Sequence, residues 1–294
     1  MADLATTTAP PPSLVTEGEG RQRAPWLWAY FWFGVLCLYV PLWLLVLFSF
    51  NDSTNMTLPL SGFTLRWYEQ ILATPALMAS FQVSVVVALV SSVFAVVLGT
   101  VAGLAITRTR FRGKAVFTVM AMVPLVLPAI ALAVALLVTL VMLGIQLGRT
   151  TVIIGHTVIA IPYTALLVAT RFAGLSTSLE EAALDLGASR WGIVRRVYLP
   201  LAAPALVPAF LFALVLSFDD FDMAFFLSGS DATLPVYFFS GLRRPALLPP
   251  VVALQSLVVV GTTIGIIVWE VVRLQRSRRQ QASQRAVAVS EDRT

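Results

Sequence analysis

The chain has one cysteine, one histidine and one lysine in 294 residues. Cys37 has no second cysteine to pair with and lies inside an apolar run, which excludes an intrachain disulfide and a cysteine metal cluster. A phosphate-binding Walker loop needs Gly-Lys-Ser/Thr, whereas Lys114 follows Gly113 and precedes Ala115, so the chain is not a P-loop ATPase. His156 stands alone and reads as a packing or hydrogen-bonding residue rather than a proton relay. Charge is scarce as well. Only 12% of residues are charged against 58% hydrophobic, with a mean hydropathy of +0.87, which is too little charge to cover a soluble domain of this length. The net charge of +5 sits in short loops beside apolar segments, so it signals membrane topology rather than a nucleic-acid surface.

What remains is apolar run after apolar run. Six segments of spanning length fall at about 26–50, 77–107, 116–144, 151–171, 203–228 and 250–272. Residues 1–24 are rich in Thr, Pro, Gly and Glu and read as a disordered N-tail. Asp3, Glu17 and Glu19 precede the first run, which argues for a retained anchor over a cleaved signal peptide. Of the Lys and Arg residues, sixteen lie in the N-tail, the 108–114 and 171–200 loops and the polar C-tail at 273–294; four lie in the alternate loops. The excess places both termini and the 171–200 loop in the cytoplasm.

Within the spans, Gly99 and Gly103, and again Gly261 and Gly265, form GxxxG pairs that permit close helix crossing. Pro124, Pro128 and Pro162 remove backbone donors, so kinks or local unwinding are expected there. Trp26, Trp28, Trp32 and Trp43 suit interfacial belts and helix packing, and Phe63-Thr64-Leu65-Arg66-Trp67-Tyr68 reads as a short interfacial helix.

The polar interval at 181–200 is the departure from this pattern. Ser178-Leu179-Glu180-Glu181 reads as a capping box that starts a short helix. Leu179, Ala183 and Leu186 share one face by spacing, and Gly187 is a natural stop. Arg190, Arg195 and Arg196 follow, and Pro200, Pro204 and Pro208 punctuate the entry to the next span, giving a helix–turn–helix knob beside the membrane. On local chemistry alone an ordinary cytoplasmic loop reads the same way. The arrangement Glu181-Ala182-Ala183, then Gly187, Val197, Leu199 and Pro200 resembles the signature loop of the inner-membrane permease subunits of binding-protein-dependent ABC importers. That resemblance implies an all-α integral membrane protein of six transmembrane helices with the type I ABC importer permease fold. It further implies that residues 172–202 form a loop, with Asp185 inside it, whose short helix seats on an ATPase subunit.

A second departure lies in the fifth span, where Phe218-Asp219-Asp220-Phe221-Asp222 interrupts an apolar run. Carboxylates facing lipid are costly, so these should face a water-filled cavity, a cation or one another. On a continuous helix Asp219 and Asp222 lie one turn apart on one face, with Asp220 about 100° away. Two other readings stay open on the residues alone: the span ends near Ser217 and the acids cap a break, or they pair with a partner chain. Residues 217–221, followed by Phe226-Leu227-Ser228-Gly229 and by residues 233–240, look like the permeases of spermidine/putrescine importers. Relatives that carry opines, phosphonates or iron complexes share parts of that pattern.

The resemblance implies a permease subunit of an ATP-driven importer in the bacterial inner membrane, moving polyamines. It would pair with a second homologous permease and with two copies of an ABC ATPase, and receive cargo from an extracytoplasmic binding protein. No cofactor is expected on this chain, ATP and magnesium belonging to the ATPase. The rival from another class is an ion-coupled secondary transporter with Asp219, Asp220 or Asp222 as the ion site.

Overall fold

The structure, a computed structural model, describes residues 25–54, 57–243 and 247–291. The expected N-tail at 1–24 lies outside the described residues. Contacts divide the chain into two units, Met1–Leu44 and Leu45–Thr294, a division that falls within the first helix, α1 (Pro25–Phe48). In the first unit the apolar side chains of α1 are exposed, as a helix that meets lipid requires. Trp26 and Trp43 are separated by about 25 Å along its axis, close to the thickness of a bilayer core.

The second unit is organised around three helices, α3 (Pro75–Arg108), α6 (Arg149–Ala173) and α9 (Leu199–Asp219). Small residues let them approach. Ala95, Ala160 and Ala213 are fully buried together. A Cβ added at Gly99 would stand 2.8 Å from Thr164 Cβ and 2.9 Å from the Ala165 backbone nitrogen, and one at Gly103 would stand 2.9 Å from the Ala165 carbonyl. The Gly99/Gly103 pair is therefore a helix crossing, and Thr164 clasps it by donating to the Ala95 carbonyl at 2.8 Å. Gly261 and Gly265 have open space where a side chain would go and make no such crossing among the described residues.

Polar side chains are buried among the apolar core, and apolar ones cover much of the outside. Ser80, Ser84, Ser91, Ser92, His156, Thr164 and Ser217 are buried, while Val93, Val97, Val101, Val207, Leu211 and Val215 are exposed. In lipid there is no gain from hiding valine, and a buried hydroxyl can pair across helices.

The third expected span, at 116–144, is not one helix. It is α4 (Lys114–Val126) and α5 (Ala129–Met142), bent by 113° at Leu127 and Pro128. Pro128 disfavours a helical conformation at the residue before it, and Leu127 is accordingly extended with φ −73° and ψ 141°. Pro162 does not break α6. It is buried, and its neighbours Ala160 and Thr164 are packed against α3, so tertiary contacts hold the helix through it. The described residues thus contain five long apolar helices, or six spans with the bent pair taken as one.

On the side of the 51–76 loop, the helix expected from Phe63 begins later, as α2 (Arg66–Ala73). Phe63 is extended instead, bridged to Asn51. Trp67 Nε1 donates to the Asn51 carbonyl at 2.8 Å, and the Tyr68 hydroxyl lies 2.6 Å from Ser49 Oγ and 3.0 Å from Ser256 Oγ. The Ser256 contact ties α2 to the last helix, α12 (Leu248–Glu291), which follows α11 (Leu234–Gly241) and whose backbone continues beyond the expected span end at 272.

Candidate functional site

The first candidate region follows α6. A short helix α7 (Ser178–Asp185) is followed by Gly187 at φ +77°, then α8 (Arg190–Ile193) and a π-helical turn, Val194–Tyr198, that runs into α9. The left-handed conformation at Gly187 closes α7, with the Ala188 N–H bonded to the Ala183 carbonyl at 2.9 Å. Ser189 caps α8 by accepting the Gly192 N–H at 3.1 Å. The π turn has a local cause. Pro200 offers no N–H to the preceding turn and its ring crowds it, so the ladder widens and the Leu199 N–H reaches back to Val194.

Two local expectations are corrected. The capping box does not form: Ser178 is the first residue of α7, Thr177 occupies the cap with helical angles, and the Ser178 hydroxyl lies 2.6 Å from Ser176 Oγ instead. Three hydroxyl residues in a row allow the turn to begin one residue early. Nor do Leu179, Ala183 and Leu186 act as one face. Ala183 packs inward against a buried cluster containing Phe172, Ile193 and Tyr198, while Leu186 lies past the helix end and is 89% exposed.

What results is a knob with an inner and an outer surface. Outside are Glu181, Ala182, Leu184, Asp185, Leu186, Gly187 and Trp191, an apolar patch set among charges. Leu199 and Pro200 are exposed at the start of α9. Inside, the Tyr198 hydroxyl donates to the Glu180 carboxylate of α7. The Tyr198 ring meets Phe172 edge-on at 5.7 Å, and the Arg108 guanidinium lies 5.6 Å over it. Arg108, at the end of α3, also donates to the carbonyls of Phe172 and Leu175 at the end of α6, where a basic side chain adds to the backbone bonds that close the helix. One cluster therefore joins α7 to α3, α6 and α9. Its members Arg108, Glu180 and Tyr198 carry no sequence signal beyond their place in charged loops.

The second region is the acidic interval. Asp219 and Asp222 do not share a continuous helix, because α9 ends at Asp219, Asp220 is extended, and α10 (Asp222–Leu227) begins afresh. Asp220 Oδ1 accepts the Met223 N–H at 2.8 Å at the start of α10, a bond like that of the capping alternative, but its side chain is buried rather than solvated outside the span. The break nevertheless brings all three carboxylates to one cavity of about 460 Å3, lined also by Phe212, Leu216 and Phe221. Asp219 is exposed, Asp222 half-buried, and the Asp220 side chain only 10% exposed. Phe218 turns away from this cavity, edge-on to Phe81 at 6.3 Å. It lines a second cavity of about 500 Å3 that shares Asp219 and Phe221 with the first. Phe221 also belongs to an aromatic group, 5.2 Å from Phe225 and 4.9 Å from Phe239.

Behind Asp220 lies the residue that looked isolated in the sequence. His156 is fully buried in α6, its Nδ1 2.6 Å from Ser217 Oγ and its Nε2 3.5 Å from Asp220 Oδ1. Ser217 in turn lies 2.9 Å from Ser91 Oγ of α3. Nothing in the spacing of residues 91, 156 and 217 announces that they meet. Among the described residues no group of three metal-binding side chains is assembled.

With this geometry in view, comparison with known proteins is informative. The putrescine transport system permease protein PotI of Escherichia coli strain K12 is 34% identical over 273 residues, covering 90% of this chain and 96% of that one. The spermidine/putrescine transport system permease protein PotC of the same strain is 33% identical over 242 residues, covering 82% and 91%. In structure, a chain from a bacterial ABC transporter involved in the import of the acidic polysaccharide alginate superposes with a TM-score of 0.63. It is 20% identical and covers 86% of this chain and 97% of that one, a likeness of fold. Residues 95–272, from the middle of α3 through the apolar part of α12, match a family described by its place in binding-protein-dependent transport. The chain belongs to that family, the inner membrane components of binding-protein-dependent transport systems.

Proposed function

We propose that this permease imports polyamines, putrescine or spermidine, along a path that passes the break between α9 and α10. The observation that carries the reading is the placement of Asp219, Asp220 and Asp222 on one cavity beside the Phe221 ring. A polyamine is a flexible chain of ammonium groups and methylenes. Carboxylates at intervals answer the first by charge pairing, and aromatic faces answer both by cation–π and apolar contact. The 34% identity to a putrescine permease supports the same cargo.

In this reading both termini and the α7–α8 knob are cytoplasmic. Two ATPase subunits drive the cycle, one of them receiving Glu181, Ala182, Asp185 and Gly187 on the exposed surface of α7. Leu199 and Pro200 begin the span that carries that motion to the acidic break. A second homologous permease closes the other side of the path, and an extracytoplasmic binding protein delivers cargo. Residues 25–272 form the permease body, with polar tails at 1–24 and 273–294. In this reading the chain itself binds no cofactor, ATP and magnesium being held by the ATPase.

The test is uptake of labelled putrescine and spermidine by cells with and without this chain, its ATPase and binding-protein partners being present. Saturable, ATP-dependent uptake that is lost on deletion is the expected result. Unchanged uptake in the deletion strain would remove the polyamine assignment.

A further inference from the structure

Three helices bring polar side chains together behind the acidic break. Ser91 of α3, Ser217 of α9 and His156 of α6 are all buried, and they stand in hydrogen-bond contact in that order, at 2.9 and 2.6 Å. The far ring nitrogen, His156 Nε2, is buried with no hydrogen-bond partner among the described residues. It faces Asp220 Oδ1 at 3.5 Å, the same oxygen that accepts the Met223 N–H and starts α10. The imidazole is thus fixed on one side by a hydroxyl and presents its other side to the carboxylate that holds the break.

We infer that His156 is a positioning residue for Asp220: anchored through Nδ1 on Ser217, it holds that carboxylate against the start of α10 and so sets the break that presents Asp219 and Asp222 to the cavity. The hydrogen-bond inventory permits this direction. Ser91 Oγ also reaches the Ala88 carbonyl at 3.3 Å, and either hydroxyl of the Ser91–Ser217 pair can donate. With Ser217 donating to Nδ1, the ring hydrogen sits on Nε2, facing an oxygen that can only accept when ionised. A carboxylate inside an apolar span is drawn to whatever donors the protein supplies. Here they are a backbone N–H of α10 and the ring of α6. Losing the ring frees the Asp220 carboxylate to leave the α10 N–H and turn further into the cavity it already lines. That changes both the charge the cavity presents and the geometry of α10. The transport part of this inference rests on the cation path proposed above, while its structural part does not.

Two substitutions separate the contacts of the ring. The amide nitrogen of glutamine falls near the position of ring Nε2, and that of asparagine near Nδ1. His156→Gln therefore keeps the approach to Asp220, and His156→Asn keeps only the approach to Ser217. Each variant is assembled with its ATPase and binding-protein partners in lipid vesicles and supplied with labelled putrescine. His156→Gln is expected to keep KM close to that of the parent chain. His156→Asn is expected to raise KM severalfold, because it removes the polar ring atom that faces the Asp220 carboxylate, with the amount inserted and the basal ATPase rate unchanged. Amide exchange at Met223 and Phe225, whose N–H groups bond to Asp220 and to the Phe221 carbonyl, is expected to accelerate in His156→Asn and not in His156→Gln.

Equal KM and equal exchange in the two variants would overturn the inference. A lower inserted amount of His156→Asn with unchanged KM per transporter would do the same, reducing the histidine to packing. If the parent chain fails to carry putrescine, the cargo assignment falls and the exchange comparison alone decides: faster exchange in His156→Asn only supports the positioning role, and equal exchange removes it.

Discussion

At the scale of the residue, two glycine pairs with the same spacing have opposite fates, and the difference is where their partners sit. A side chain at Gly99 meets Thr164 and the α6 backbone, which cannot retreat, whereas one at Gly261 meets nothing. Gly99→Ala is expected to overpack the α3–α6 crossing and cost about 1–3 kcal/mol, with Gly261→Ala within about 0.5 kcal/mol of the parent. Thermal unfolding in detergent, followed by the loss of monodisperse protein, measures the contrast, and equal midpoints would mean that the crossing is looser than drawn. Sequence alone could not rank the two pairs, since GxxxG names a helix face and not its neighbour. The same limit hid the contact of His156. A lone histidine in an apolar run is correctly read as a hydrogen-bonding residue, but its partners lie 61 and 64 positions away on other elements.

At the scale of the element, the breaks matter more than the helices. The long apolar runs at 77–107, 151–171 and 250–272 were legible because composition and length suffice to specify a span. The places where a run stops being one helix were legible only in part. Proline marked the bend at Pro128, whereas at Pro162 the helix runs on without a break, close packing against α3 compensating for the missing N–H. The three aspartates marked the end of α9, yet reading them on a continuous helix misplaced Asp220, which turns inward to cap α10. The knob at 178–193 was legible as two helices around Gly187, while its inner cluster was not. That cluster leads to an expectation about coupling. Tyr198→Phe removes only the hydroxyl that reaches Glu180 and keeps the ring against Phe172 and Arg108. It should cost about 1 kcal/mol of stability and leave ATP hydrolysis running, while transport per ATP consumed falls severalfold. Parallel assays of phosphate release and uptake in the same vesicles decide the point, and an unchanged ratio would show that motion of α7 reaches the spans by another route.

At the scale of the whole molecule, the second unit buries hydroxyl side chains among its apolar core and also exposes many branched aliphatic residues, as a protein whose surroundings are lipid can. Within it the described structure carries two polar centres at opposite ends of α9. One is the knob that precedes Leu199, suited to contact another protein; the other is the acidic break that follows Ser217, suited to contact a cation. A single helix, α9, connects them, and it packs against α3 and α6 along its length. A permease driven from one end and loaded at the other requires such a connection, and it is the reason we propose that the acidic cavity lies on the transport path and not in a peripheral pocket. The direct measurement is ATP-dependent accumulation of labelled putrescine in vesicles containing the assembled transporter, compared with the same assembly carrying Asp219→Asn and Asp222→Asn. Accumulation is expected to fall at least about tenfold in the double variant, with the inserted amount and basal ATP hydrolysis preserved. Accumulation equal to that of the parent chain would return both carboxylates to a structural role and send the path elsewhere in the bundle.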